Sequence, residues 1–426
     1  MQLVKTMIDR MESSWQNSSY EFKCHTSETC FLITFAVWLI MNYSWATMAH
    51  IPWPEFFFFY VQVAIGLAVL FRYMIMKPSE IKKILVIVIL MGAFAIAKGH
   101  SGIDTLLETG FLIIGANGIE YKKILKVYLI VKVPITICTM IAGYTGLITN
   151  LVYHRGEKVR MAFGFIYPTD FAAHVVYMIA AWVLIRQVKC SWIEIGMMII
   201  SVIFFEKYCD VRTSEAVMIL LILCLVYLKI RNALAEKKGT KYKPSILLKC
   251  LCLVIPYGLG GFMILTSRFY NPEITWMAKL NTLFSTRLAI GKEAFERYDI
   301  KLWGQNIPMI GNGGTTEAVQ GYFFLDSSYV NILLRLGLVV FILIMLMISI
   351  IMIRNINQPY ILAVMVIICI HSVMEHHMFE LFCDVFLMLP FAKFDVEENE
   401  KELEKVQNDK VGNSKTSRHF PIKSVR

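Results

Sequence analysis

The chain has 426 residues, of which 57% are apolar, 13% aromatic and only 17% charged. Water-soluble domains carry about 25% charged residues, so this balance, with long apolar runs recurring from residue 31 to residue 392, argues for an all-α polytopic membrane protein. The net charge of +10 is not a nucleic-acid signature, because most basic residues sit in short loops between apolar runs, the positive-inside pattern of membrane topology.

Residues 1–30 are broken up by acidic and polar side chains and lack a cleavable apolar core. Val4, Met7, Ile8, Met11 and Trp15 recur at helical spacing, which predicts a cytoplasmic segment with a short helix on the membrane surface. Residues 31–267 then hold nine predicted spans, centred near residues 40, 65, 90, 111, 137, 178, 199, 221 and 257. Basic clusters such as Arg72–Lys83, Lys122–Lys126 and Arg231–Lys243 fall in alternate loops, which places those loops and both termini in the cytoplasm.

The exceptions carry information. Arg155, Lys158 and Arg160 sit in an external loop, Lys207 and Arg212 in another, and Arg268, Arg287, Lys292 and Arg297 in a third. Guanidinium groups match phosphate oxygens bidentately, so these suit an anionic ligand. The plain alternative is that each snorkels to headgroups or pairs with a neighbour such as Asp210 or Glu296.

Residues 268–326 form one long external loop, longer than an ordinary connection and too aromatic, with Trp276, Phe284 and Trp303, for disorder. Leu280, Phe284, Leu288 and Phe295 share a face, which predicts an amphipathic helix over 279–298. "IPMIGNGGTT" (307–316) offers Gly311, Gly313 and Gly314, either an ordinary turn or backbone N–H groups aimed at an anion; it is not a P-loop.

Residues 327–394 hold three more predicted spans near 344, 367 and 386, of which the last, like the fourth, is short enough to be re-entrant. Ser327, Asn331 and Arg335 recur every four residues on one helix face, and Asp326 stands where an N-cap would. The alternative role for Asp326 is a general base at the floor of an external cavity. In "HSVMEHHMFE" (371–380), His371 and Glu375 are four apart on a predicted helix, with His376, His377 and Glu380 close by. That is not the HExxH pattern, so cavity-lining side chains are expected and no metal. The ten cysteines show neither a disulfide framework nor zinc spacing, and residues 395–426 read as a disordered cytoplasmic tail.

Together these features resemble the superfamily of O-antigen ligases and Wzy-type polysaccharide polymerases. Asp326, Ser327, Val330 and Gly337 occupy the places of that family's His-Asn-x-x-Leu and the Gly seven residues beyond, with the spacing kept and the His and Asn replaced. Arg287, Trp303, Pro308, Gly311 and Gly313 follow its Arg…Trp…Pro-x-x-Gly-x-Gly order. "RMAFGFIYPTDFAAH" and "DVRTSEAVMILLIL" are similar to its mid-chain segments. Loss of the His fits a capsule or exopolysaccharide polymerase better than a ligase.

The resemblance implies a bacterial plasma-membrane glycosyltransferase that moves a growing glycan from one undecaprenyl pyrophosphate onto another lipid-linked repeat unit. It implies that Arg160, Arg212 and Arg287 hold pyrophosphate and that Asp326, or else Glu375 or His376, is the base. Trp303, Gly311, Gly313, Tyr329 and Arg335 would contact substrate. No cofactor or metal is implied. The partners would be undecaprenyl-pyrophosphate-linked oligosaccharides, membrane lipid and a chain-length regulator, not nucleic acid. A lipid-linked oligosaccharide flippase and an O-antigen-type ligase are the alternatives; Lys132 and His174 are the ionisable groups expected deepest in the membrane.

Overall fold

Apolar runs of bilayer length dominate the chain, and a computed structural model shows them as helices. The structure describes residues 2–76, 81–317 and 319–394, without the side chains of residues 2–19, 55, 76 and 81–83. The expected tail beyond residue 394 lies outside the described residues, as do the side chains on which the surface-helix reading of residues 1–30 rests. The chain is 70% helical with few strands.

The helices are α1 (Gln2–Ser44), α2 (Glu55–Met76), α3 (Ile81–Ser101), α4 (Thr105–Gly115), α5 (Tyr121–Thr145), α6 (Pro168–Arg186), α7 (Trp192–Tyr208), α8 (Arg212–Lys237) and α9 (Ile246–Arg268). They are followed by α10 (Thr275–Leu283), α11 (Arg287–Arg297), α12 (Ser328–Asn331), α13 (Gly337–Arg354) and α14 (Pro359–His371). Local chemistry sets several ends. Ser191 and Glu194 form a reciprocal capping box on α7, Pro168 fills the first turn of α6, and Gly146 closes α5 in the left-handed conformation.

Among the described residues, eight helical stretches are long and apolar enough to cross a membrane: parts of α1, α2 and α3, then α5, α6, α8, α9 and the stretch Ser328–Arg354. The other four predicted centres fall on shorter elements. Helix α7 has 17 residues, α14 has 13 and α4 has 11, the last about 16 Å at 1.5 Å per residue, half of the hydrocarbon thickness. The centre near 386 falls on a 3₁₀ segment, Val385–Phe391. Two of these pieces, α4 and the 385–391 segment, are apolar for a different reason: Leu112, Ile113, Val385, Phe386 and Leu389 are fully enclosed by other helices, whereas α7 leaves Ile193, Met197 and Ile200 exposed.

Two expectations about local structure are corrected. The helix predicted over 279–298 is two helices, α10 and α11, broken where Ser285 (φ 49°) and Thr286 (φ 68°) turn left-handed. Its apolar face survives the break: Leu288 is fully buried and Leu280, Phe284 and Phe295 pack against the core. Likewise Glu375 does not lie on a helix with His371, because α14 ends at His371 and residues 372–384 run as turns and a short 3₁₀ piece, His377–Phe379. Irregular backbone buried among spans needs internal partners. Lys132, at the middle of α5, donates to the Phe382 carbonyl at 2.9 Å, and Arg354 donates to the Ala392 carbonyl at 3.0 Å.

Unforeseen from sequence is a two-stranded antiparallel hairpin, β1 (Val152–Arg155) and β2 (Lys158–Met161), in which Tyr153 faces Arg160. The long segment after α9 returns to the start of α13. There the free amides of Leu338 and Val339 find the carbonyls of Lys301 (3.0 Å) and Leu302 (3.1 Å). Just before α13 the helix widens to a π turn, Ile332–Leu336, a distortion often found at functional sites.

Candidate functional site

The break at Ser285–Thr286 makes Arg287 the first residue of α11 and turns it inward. Its Nε donates to the Met374 carbonyl at 2.8 Å, fixing one edge of the guanidinium. The other edge faces two acids, with Nη2 3.6 Å from an Asp326 oxygen and 3.9 Å from a Glu375 oxygen. Burial works against the Arg287 charge, but the two carboxylates more than restore it and hold its pKa above the ordinary value. The acids shift the other way. Burial raises Asp326 and pushes Glu375 up to about 7, with Arg287 opposing both.

Asp326 is therefore not the helix cap the sequence suggests. The residue before α12 is Ser327, whose side chain makes no capping bond and is buried without a partner. Ser328 does the local fastening, donating from its hydroxyl to the Glu375 carbonyl at 2.5 Å and accepting from the Met378 amide at 3.1 Å. So the 372–384 segment is tied to the head of the Ser328–Arg354 span, which brings Glu375 and Asp326 to the same guanidinium.

His376 links this cluster to a cavity. Its ring meets Phe324 edge-on at 5.0 Å, and it stands on the wall of a cavity of about 700 Å³ with Asp170, His174, His377 and Glu380. Trp45, Phe58 and Phe59 supply apolar wall. A second hollow of about 220 Å³ shares Asn42, Thr105, His376, Glu380 and Phe382 and adds Asn331 and Arg335. Arg287, Asp326 and Glu375 line neither of these two cavities.

The structure thus gathers Arg287, Asp326 and Glu375 in one ion cluster, with His376 beside it and Arg335 in the second hollow. Arg160 and Arg212 belong elsewhere, in a cationic patch around Asp210. Asp210, 2% exposed, takes Arg155 and Lys158 at 3.1 Å each, with Arg212 at 4.0 Å. Arg160 is buried, donates to the Cys209 carbonyl at 3.0 Å, and keeps one guanidinium nitrogen without a partner. Its guanidinium lies 5.6 Å from the ring of Tyr167, the residue ahead of α6.

Of the predicted substrate contacts, Tyr329 is enclosed and the two glycines lie in the 307–316 loop. Tyr329 is fully buried, with its hydroxyl on the Cys369 carbonyl and its ring against Gly260, so it offers no surface to a sugar. Gly311 packs under the Phe324 ring, and Gly313 is exposed beside Ile166. The neighbouring Gly314 amide is already spent on the Ile166 carbonyl at 2.8 Å, which favours the turn reading of this loop. Trp303 is half-buried, next to the glycine contact at the head of α13.

Sequence reasoning missed Asp170, and it left His377 and Glu380 as bystanders. Asp170 sits in the first turn of α6, where an acid is ordinary, and nothing in the sequence marks it as facing the 371–380 cluster. Compared with family models, curated proteins and solved structures, the chain matches none.

Proposed function

We propose that this chain is a membrane glycosyltransferase that polymerises undecaprenyl-pyrophosphate-linked oligosaccharide repeat units into capsular, exopolysaccharide or O-antigen polysaccharide. In this reading it works at the outer face of a bacterial plasma membrane, with twelve membrane segments, both termini cytoplasmic and residues 268–326 as the external loop. The observation that carries it is Arg287, brought from that loop to within 4 Å of Asp326 and Glu375. A fixed guanidinium beside carboxylates can meet the charge of a departing pyrophosphate and accept a hydroxyl proton.

The chemistry follows from those groups. Asp326, more exposed than Glu375 (17% against 2%), takes the proton of the attacking sugar hydroxyl. The resulting oxygen bonds to the donor's anomeric carbon as the bond to the pyrophosphate oxygen breaks. Arg287 receives the negative charge that builds on the departing pyrophosphate. The cationic patch at Arg155, Lys158, Arg160 and Arg212 supports the same reading as a second place for phosphate.

A flippase is the second reading, and one observation favours it: Lys132 is fully buried at mid-span and bonded to His174 at 3.0 Å, behind the cavity. The same experiment decides between them. In cells lacking this protein, single repeat units stranded on the outer leaflet are the expected result. Single units trapped on the inner leaflet point to transport, and full-length polymer rules out both.

A further inference from the structure

Asp170, His376 and His377 each present a potential ligand atom, and the three atoms lie within 4.8 Å of one another on the wall of the larger cavity. One carboxylate, Glu380, serves both imidazoles from behind. Its oxygens lie 2.8 Å from His377 Nδ1 and 3.4 Å from His376 Nε2. A carboxylate accepts only, so His377 Nδ1 carries a proton towards Glu380, and its Nε2 is free to ligate once its own proton is displaced, as metal binding requires. The nitrogens left over, His376 Nδ1 and His377 Nε2, are the ones buried without a hydrogen-bond partner.

His377 Nε2 faces Asp170 across 3.6 Å, too long for a hydrogen bond. A proton on Nε2 or a cation between the two atoms holds them at this separation, and the spacing suits the cation. Ligands about 2.1 Å from a tetrahedral ion stand about 3.4 Å apart, close to the spacing observed. The charges also agree, since Asp170 and Glu380 together balance one divalent ion.

From this geometry we propose that Asp170, His376 Nδ1 and His377 Nε2 bind a divalent first-row transition ion. Glu380 orients both imidazoles from the outer shell, as carboxylates behind metal-bound histidines do. Two imidazoles and one carboxylate favour Zn²⁺ and its neighbours over Mg²⁺ or Ca²⁺, which prefer all-oxygen sites. Three protein ligands leave a coordination position open to the cavity. The site does not depend on the glycan reading.

The test uses full-length protein in detergent, stripped with chelator and titrated with Co²⁺ while visible ligand-field absorption is followed. One Co²⁺ per chain, displaced by Zn²⁺, is expected. His376→Ala and His377→Ala should each abolish the band, and Glu380→Gln should weaken affinity about 10–100-fold. His376, 16% exposed against 2% for His377, is the safer replacement, and elution as a monodisperse species checks its fold. A wild-type protein that takes up no stoichiometric Co²⁺, or a band undiminished in a folded His376→Ala variant, overturns the proposal. The cluster would then be an imidazolium held between two carboxylates.

Discussion

Gly304 and Gly337 meet backbone to backbone: a Cβ on Gly337 would lie 2.2 Å from the Gly304 amide nitrogen and 2.6 Å from the Leu302 carbonyl oxygen. Both residues also take positive φ, 82° and 91°. The contact seats residues 301–305 of the long loop on the head of α13, so the loop that carries Arg287 is anchored part-way along its length by two glycines.

Gly337→Ala should therefore be strongly destabilising. Gly337 sits at φ 91° and ψ 168°, a region essentially reserved for glycine, where alanine costs about 1–3 kcal/mol, and the collision adds to it because backbone cannot swing aside as a side chain does. The expected result is a large drop in the thermal unfolding midpoint in detergent. Gly261→Ala is the control: a methyl there meets open space on α9, and replacing a helical glycine gains up to about 1 kcal/mol. Equal midpoints for the two variants would remove the anchoring role.

Arg287 separates a structural ion cluster from a working one. Arg287→Ala leaves Asp326 and Glu375 without their counter-charge, and losing one partner of a buried pair costs about 3–5 kcal/mol. Separations of 3.6 and 3.9 Å and residual exposure place this case at the low end of that range. Arg287→Lys keeps the charge but cannot hold the Met374 carbonyl and both acids at once. With expression confirmed, polymer output should fall about 100-fold or more in the alanine variant, the usual loss when a donor to a developing anion is removed. Full-length polymer from Arg287→Ala and Asp326→Ala alike would end the assignment.

Composition made the long apolar helices legible, because eighteen or so largely apolar residues in a row have few uses other than crossing a membrane. It could not tell a span from a buried irregular segment. "LFCDVFLMLPFA" (381–392) is as apolar as a span, yet Asp384 caps a 3₁₀ segment there, its side chain accepting from the Phe386 amide, and Pro390 lies within that segment. The break at Ser285–Thr286 was hidden for a related reason: a positive φ without glycine leaves no breaker in the sequence. Within the site, Arg287 and Asp326 stood out as charges where topology predicts few. Asp170 did not, because its partners lie far along the chain and only the tying of residues 372–384 to Ser328 and Lys132 brings them near.

The base assignment predicts a pH dependence. Burial raises the Asp326 carboxyl above its ordinary value of 3.8, with Arg287 opposing. As a base it must be ionised, so transfer should fall as pH drops through the raised value, and Asp326→Asn should abolish transfer without unfolding the protein. The linked effect on stability has the opposite sign. The ionised form is disfavoured in the fold, so this group's contribution is fully present below the unfolded pKa and is lost as pH rises through the folded one. A pH–rate profile in reconstituted membranes and an unfolding series in detergent read the two signs separately. A rate that is flat through the acid range would move the base elsewhere.

Lys132 is the pin beneath the candidate site. Its ammonium donates to the Phe382 carbonyl (2.9 Å) and to the Tyr128 hydroxyl (3.1 Å), and is bonded to His174 Nδ1 (3.0 Å). Its charge also lies 4.4 Å from the centre of the Tyr43 ring. Lys132→Met keeps the length and apolar stem but leaves the Phe382 carbonyl and the imidazole without this partner. Each buried group so abandoned costs about 1–3 kcal/mol. The loss should be local as well as global, because the carbonyl belongs to the irregular segment that carries Glu375, His376, His377 and Glu380. Hydrogen exchange should therefore speed up at the amides of Cys383 and Asp384, which both bond to the Glu380 carbonyl at 2.7 Å, before it changes in α5. Protection unchanged at those two amides, with α5 loosened instead, would show that Lys132 serves its own helix rather than the segment above it.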